Sequence, residues 1–216
     1  MNKQITEWQG KFGNDFVERT NKNDENPNIE FKKTYGIYRE ELNKEFIGLL
    51  NKDIKILEVG AGTGKQLEIL KKMGFKNLYG IEINKDAIRR SRTKEDIYII
   101  PGDACNIPFQ DGFFDLVFTS MVLIHIAPVN ISETLKEIYK CSKKYIWGYE
   151  YYDKEYIPRI YRGKQGLLWK ANFAKMYLDL FPDLKLIKKK KLKYLQIPDY
   201  WEKEDYQDEM FLLKKS

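Results

Sequence analysis

Residues 57–65 read Leu57-Glu58-Val59-Gly60-Ala61-Gly62-Thr63-Gly64-Lys65, an apolar run that enters three glycines at alternate positions. Glycine lets a backbone turn tightly and lets a ligand approach the amide end of a following helix. Such a loop suits a nucleotide-like cofactor, and its spacing separates the candidates. A P-loop needs GxxxxGK followed by Ser or Thr. Here Gly60 and Gly64 are one residue too close, and Gln66 stands where a hydroxyl would hold magnesium. A nicotinamide loop needs GxGxxG, and Lys65 occupies its third glycine position.

The observed spacing, Glu58-x-Gly60-x-Gly62-x-Gly64, resembles the loop of Rossmann-like S-adenosylmethionine-dependent methyltransferases. Other positions are in register with it. Glu82, followed by Ile83, ends the next apolar run about 20 residues on, where a carboxylate takes ribose hydroxyls. Asp103-Ala104 follows a third run and can meet the adenine edge. Ser120-Met121 follows a fourth and lies beneath the cofactor. With Glu58, Gly60, Ala61, Gly62 and Gly64 these residues form the expected cofactor site. His125, the only histidine, follows the fourth run and is the candidate general base. It can equally be a ring that only orients a loop. Glu150, after a fifth run, is the rival base. Trp8 and Arg19 before the core, and Tyr149, Tyr152 and Arg162 after the fifth run, are the expected acceptor contacts.

The elements that must position these residues alternate. Apolar runs at 54–59, 78–83, 97–100, 114–119 and 145–149 read as strands. Helical patterns at 65–73, 86–92 and 132–141 lie between them, the last with Ser132 as a plausible N-cap. This is the signature of an α/β fold: a mostly parallel, seven-stranded Rossmann-like sheet with helices on both faces. Residues 184–195 and 209–213 read as the two closing strands, and 167–181 as a helix ended by Pro182. Residues 29–50 read as a helix before the core, and Thr20 to Asn28 as an Asn-rich loop. We expect one domain over 1–216, with an N-terminal lid and helix in 1–50 and the core in 51–216.

Composition narrows the function. With 38 basic and 32 acidic residues the net charge is +6, which a Lys-rich surface explains without nucleic acid. The run from Lys188 to Lys191 suits an exposed strand better than a buried one. One His and two Cys exclude a Cys/His zinc site, although a carboxylate metal site stays open. No apolar run is long enough to span a membrane, and no secretory h-region follows the N-terminus. The cytoplasm is the expected compartment.

The outer segments resemble a narrower family. Residues 8–19 (WQGKFGNDFVER), 122–126 (VLIHI), 149–152 (YEYY), 161–163 (YRG), 173–174 and 181–184 (FPDL) are similar to the pseudaminic acid biosynthesis-associated methylases. Phe16 stands where that family would have Tyr, and Thr20 where it would have Asn. The resemblance implies transfer of a methyl group from S-adenosylmethionine, leaving S-adenosylhomocysteine, to a small acceptor. The implied acceptor is a sugar, a nucleotide sugar or a nonulosonic acid. The alternatives are an RNA or protein methyltransferase, and a non-enzymatic module that binds the cofactor.

Overall fold

The computed structural model describes residues 3–22, 27–92, 94–195 and 207–216. Seven strands form one sheet in the order β3-β2-β1-β4-β5-β9-β8. They are β1 (Lys55–Val59), β2 (Asn77–Glu82), β3 (Ile97–Pro101), β4 (Phe114–Ser120), β5 (Ser142–Tyr152), β8 (Leu184–Lys193) and β9 (Gln207–Lys215). The first five pair in parallel, and β9 runs antiparallel to β5 and to β8. Strand β1 is buried over Ile56–Val59 because helices cover both faces of the sheet. On one face pack α3 (Pro27–Tyr35), α4 (Arg39–Ile47) and α5 (Lys65–Lys72), through Phe31, Leu42, Phe46, Leu67 and Leu70. On the other pack α7 (Pro128–Cys141) and α8 (Phe173–Leu180), through Ile131, Leu135, Ile138, Phe173 and Tyr177.

The chain order reverses between β1 and β4. Ligands of open α/β sheets bind outside the carboxyl ends of strands at such a switch point. Two further pieces lie outside the main sheet. Helices α1 (Lys3–Gln9) and α2 (Lys11–Lys22), where a lid is expected, contribute residues to the cavity at the switch point. A separate hairpin, β6 (Ile157–Tyr161) and β7 (Lys164–Lys170), follows β5.

Several expectations are corrected. The helix expected over 29–50 is two helices, α3 and α4, divided at Gly36, whose φ of +77° is left-handed. The helix expected over 167–181 begins only at Phe173, where the Asn172 side chain caps it by accepting from the Lys175 amide at 3.0 Å. Its first residues belong instead to β7, a buried Leu-Leu-Trp run whose short apolar pattern does not distinguish strand from helix. Ser132 lies inside α7, whose N-cap is Ala127 with Pro128 in the first turn. The loop expected over 20–28 is helical at both ends, and 23–26 lie outside the described residues. The four lysines lie in β8, the sheet edge, where charge discourages further strand pairing.

Candidate active site

One cavity opens at the switch point. Its floor is Gly60, Gly62, Glu82, Ile83, Asp103, Ala104, Ser120 and Met121, at the carboxyl ends of β1 to β4. Its roof is Gln4, Ile5, Trp8, Gly13, Phe16 and Val17 from the lid helices. His125, in a 3-10 turn over Leu123–His125, completes the wall with Ile126.

The glycine loop takes its shape from two left-handed residues. Gly60 has φ +73°, and a Cβ there would lie 2.6 Å from Val122 Cγ2. Gly62 has φ +54°, and a Cβ there would meet no protein atom within 4 Å, because it would enter the cavity. Both the Gly60 and Ala61 amides donate to the Ile81 carbonyl at 2.9 Å, tying the loop to β2. Glu82 ends β2 and is buried. Its Oε2 accepts from the Gly62 amide at 2.7 Å, and its Oε1 from the Ile83 and Asn84 amides at 2.8 Å. Burial pushes its pKa up, and those three amides pull against that shift. The carboxylate thus holds the glycine loop and faces the cavity beside it. Asp103 Oδ1 accepts from the Cys105 amide at 2.9 Å, which orients the carboxylate at the cavity rim. Met121 has φ +58°, unusual outside glycine, and its amide donates to the Tyr149 carbonyl at 2.8 Å.

The His125 ring packs against Trp8 at 4.6 Å and Tyr161 at 5.1 Å between ring centroids, both tilted to it. Its Nδ1 lies 2.7 Å from the Leu167 carbonyl, which can only accept, so Nδ1 carries the proton. Burial pushes its pKa down to about 4, so the ring is neutral at pH 7 with Nε2 as its basic atom.

Other expected site residues lie elsewhere. Glu150 is buried, and its two oxygens accept from the Val122 and Ile124 amides at 3.2 and 3.3 Å. It braces the turn that carries His125 and does not line the cavity, so the structure corrects its reading as a rival base. Tyr149 points to the α3 face, bonded to the Tyr35 hydroxyl at 2.7 Å and to Asp208 at 3.0 Å. Tyr152 stacks under the Lys191 ammonium, 3.6 Å from its ring centroid. Arg162 is exposed and has φ +50°, next to Gly163 at +74°, so it forms the first corner of the β6–β7 hairpin turn. Arg19 lies on α2 behind the roof, with Nε and one Nη buried and unbonded. Glu58, Ala61 and Gly64 do not line the cavity; Gly64 is the N-cap of α5, and its amide donates to the Ala61 carbonyl at 2.8 Å.

Two contributors escaped the sequence reading. Asn84 caps α6 (Lys85–Ser91) by accepting from the Ala87 amide at 2.9 Å. Its Nδ2 donates to the Trp8 carbonyl at 2.8 Å and to Asn14 Oδ1 at 2.9 Å, which fastens the lid. An Asn before a helical run signals the cap, but nothing local signals the lid contact. Gln4 gives no sequence signal at all.

Comparison with known proteins adds to this geometry. Residues 57–145, the stretch from β1 into β5, match the family described as a methyltransferase domain. The likeness to that domain covers less than half of the chain. Solved structures share the whole architecture. A methyltransferase from Anabaena variabilis, S-adenosylmethionine-dependent by its description, is 12% identical, with a TM-score of 0.67 over 100% of this chain and 96% of its own. One from Aquifex aeolicus is 14% identical, with a TM-score of 0.64 over 94% and 99%. The [4+2]-cyclase SpnF is 16% identical, with a TM-score of 0.61 over 82% and 79%. The fold is therefore that of class I methyltransferases, and it also carries other chemistry, so activity has to be argued from the site.

S-adenosylmethionine is the cofactor this domain implies, and the residues present fit it. The open space over Gly62 admits the methionine end. Glu82 and Asp103 line the same cavity, where they would meet the ribose and the adenine. Among the described residues no cluster of three or more His, Cys, Asp or Glu could hold a metal. No helix among them is long and apolar enough to cross a membrane.

Proposed function

We propose that this protein transfers a methyl group from S-adenosylmethionine to a small polar acceptor: a sugar, a nucleotide sugar or a nonulosonic acid. The observation that carries the reading is the roof. Trp8, Phe16 and Val17 close over the cofactor floor, and His125 stands in the same wall. A concave, mostly apolar site of this kind suits a small molecule. The acceptor class itself rests on the resemblance of the outer segments.

When bound, the cofactor supplies an activated sulfonium methyl. The chain's own residues supply placement and exclusion of water. Glu82, Asp103 and the glycine loop hold the cofactor, and the lid shuts out solvent. His125 Nε2 takes the proton of an acceptor hydroxyl, a poor nucleophile at neutral pH without a base. The fold keeps the ring in the tautomer this role needs. The basic surface gives little support to an RNA substrate. Lys188 and Lys190 pair with Glu45, and Lys189 lies 4.0 Å from Glu209.

The test is a turnover screen with methyl-labelled cofactor against free nonulosonic acids, nucleotide sugars and RNA, with and without nuclease. Label should enter a sugar-containing product and be indifferent to nuclease. Label appearing only in RNA would overturn the acceptor class.

A further inference from the structure

The Gln4 side chain brackets Ile126. Its Nε2 donates to the His125 carbonyl at 2.5 Å, and its Oε1 accepts from the Ala127 amide at 2.7 Å. Gln4 is buried although it stands in the first turn of α1. Ala127 is the N-cap of α7, so its amide has no acceptor within the helix. The bracketed segment lines the cavity through His125 and Ile126. A second bond, from the Tyr156 hydroxyl to the Ile126 carbonyl at 2.6 Å, fixes it from the hairpin side. Other ties between lid and core do different work. Asn84 holds the lid's own backbone and side chains, and the Lys164–Glu7 pair joins the lid to the hairpin surface. Trp8 packs on the His125 ring, whereas Gln4 hydrogen-bonds the backbone of the loop after β4.

Ile5, Trp8, Phe16 and Val17 line the same cavity as Gly62, Glu82 and Asp103, so a cofactor seated on that floor lies against α1 and α2. Lifting α1 withdraws Gln4 and leaves the His125 carbonyl and Ala127 amide without it. We propose that Gln4 is a positioning residue: seating the lid on a filled cavity locks the backbone around His125 through the Gln4 amide. The acceptor half of the site is thereby assembled only when the lid is down. The methyltransferase reading enters only in naming what fills the cavity. Release of the spent cofactor then requires both Gln4 bonds to break. Two such side chain–backbone bonds correspond to about 10- to 100-fold in a release rate.

The experiment uses the full chain and S-adenosylhomocysteine as the probe. Release is followed by stopped-flow displacement, and amide exchange is read at Ala127 with and without the probe. In the wild type, the Ala127 amide should be protected and more so with the probe bound. Gln4→Leu should lose that protection and release the probe about 10- to 100-fold faster. Gln4→Glu keeps an acceptor for Ala127 but cannot donate to the His125 carbonyl. It should retain Ala127 protection and release the probe at an intermediate rate, a split that a purely structural loss would not produce. If the wild type binds no S-adenosylhomocysteine, the cofactor reading falls, and the exchange comparison without probe still decides the latch. Unchanged Ala127 exchange or unchanged release in Gln4→Leu would overturn the proposal. Should that variant fail to fold, Gln4→Glu decides: wild-type release, or lost Ala127 protection, overturns it.

Discussion

The His125 ring carries an instruction from a residue 42 positions away: the Leu167 carbonyl fixes the proton on Nδ1. If Nε2 removes the acceptor proton, His125→Asn should lower kcat by about 10²- to 10⁴-fold while S-adenosylhomocysteine still binds with near-wild-type affinity. Retention of kcat in that variant would reduce the ring to an orienting role. Because burial lowers its pKa to about 4, the free enzyme should show no loss of kcat/KM near pH 6.5 from this group. Gly62 makes a second residue-scale case. Its left-handed φ of +54° already disfavours a side chain, and a Cβ would point into the cavity. Gly62→Val should abolish cofactor binding, and the fold should lose only about 1–2 kcal/mol from backbone strain. Calorimetry and a denaturation curve separate the two effects. Asp103→Ala should weaken cofactor binding by about 1–3 kcal/mol through one lost charge-assisted bond.

Among the elements, the β6–β7 hairpin shows what residue types alone conceal. Arg162 was expected to face the acceptor, yet both corner residues have positive φ and the side chain is exposed. A turn of this hand prefers Asn or Gly at that corner. Arg162→Asn should therefore leave turnover unchanged and shift stability by no more than about 1 kcal/mol. A tenfold drop in kcat/KM would restore the acceptor role. What could be read from the sequence follows the same division. That Gly60, Gly62, Glu82 and Asp103 line one cavity was legible because their geometry is local: a strand end, a turn, a helix start. The break at Gly36 was not, since helical spacing continues across it. Nor were the placements of Tyr149, which strand alternation turned toward α3, and of Glu150, spent on bracing the His125 turn. The lid contacts of Gln4 and Asn84 join residues 121 and 76 positions apart, and no local pattern encodes such pairs.

Across the whole molecule the buried ionisable groups oppose one another, and that opposition sets a pH dependence. Burial raises Glu150 and Asp208 each to about 7, and lowers His125 to about 4. Asp208 draws in the hydroxyls of Tyr149 and Tyr194, each at 3.0 Å, and of Tyr35, clamping α3 and the end of β8 onto β9. A carboxyl whose folded pKa is raised gives stability that is fully present below its unfolded pKa. That stability is lost as pH rises through about 7. The imidazole, lowered in the folded state, gives stability present above about 6.5 and lost as pH falls toward 4. Between about pH 4.5 and 6.5 the folded chain thus holds about two extra protons on the acids and about one fewer on the ring. The net slope is about −1.4 kcal/mol of stability per pH unit, and it fades above about pH 7 as the two acids ionise in the folded chain. Glu58, Glu82 and Glu209, also pushed up by burial, add to the same sign. Urea denaturation should therefore find the protein about 2–3 kcal/mol more stable at pH 5.5 than at pH 8. Asp208→Asn removes one of the two acids, so its stability should be nearly flat over the same range. A wild type less stable at pH 5.5 than at pH 8 would mean that these carboxyls stay ionised in the folded chain.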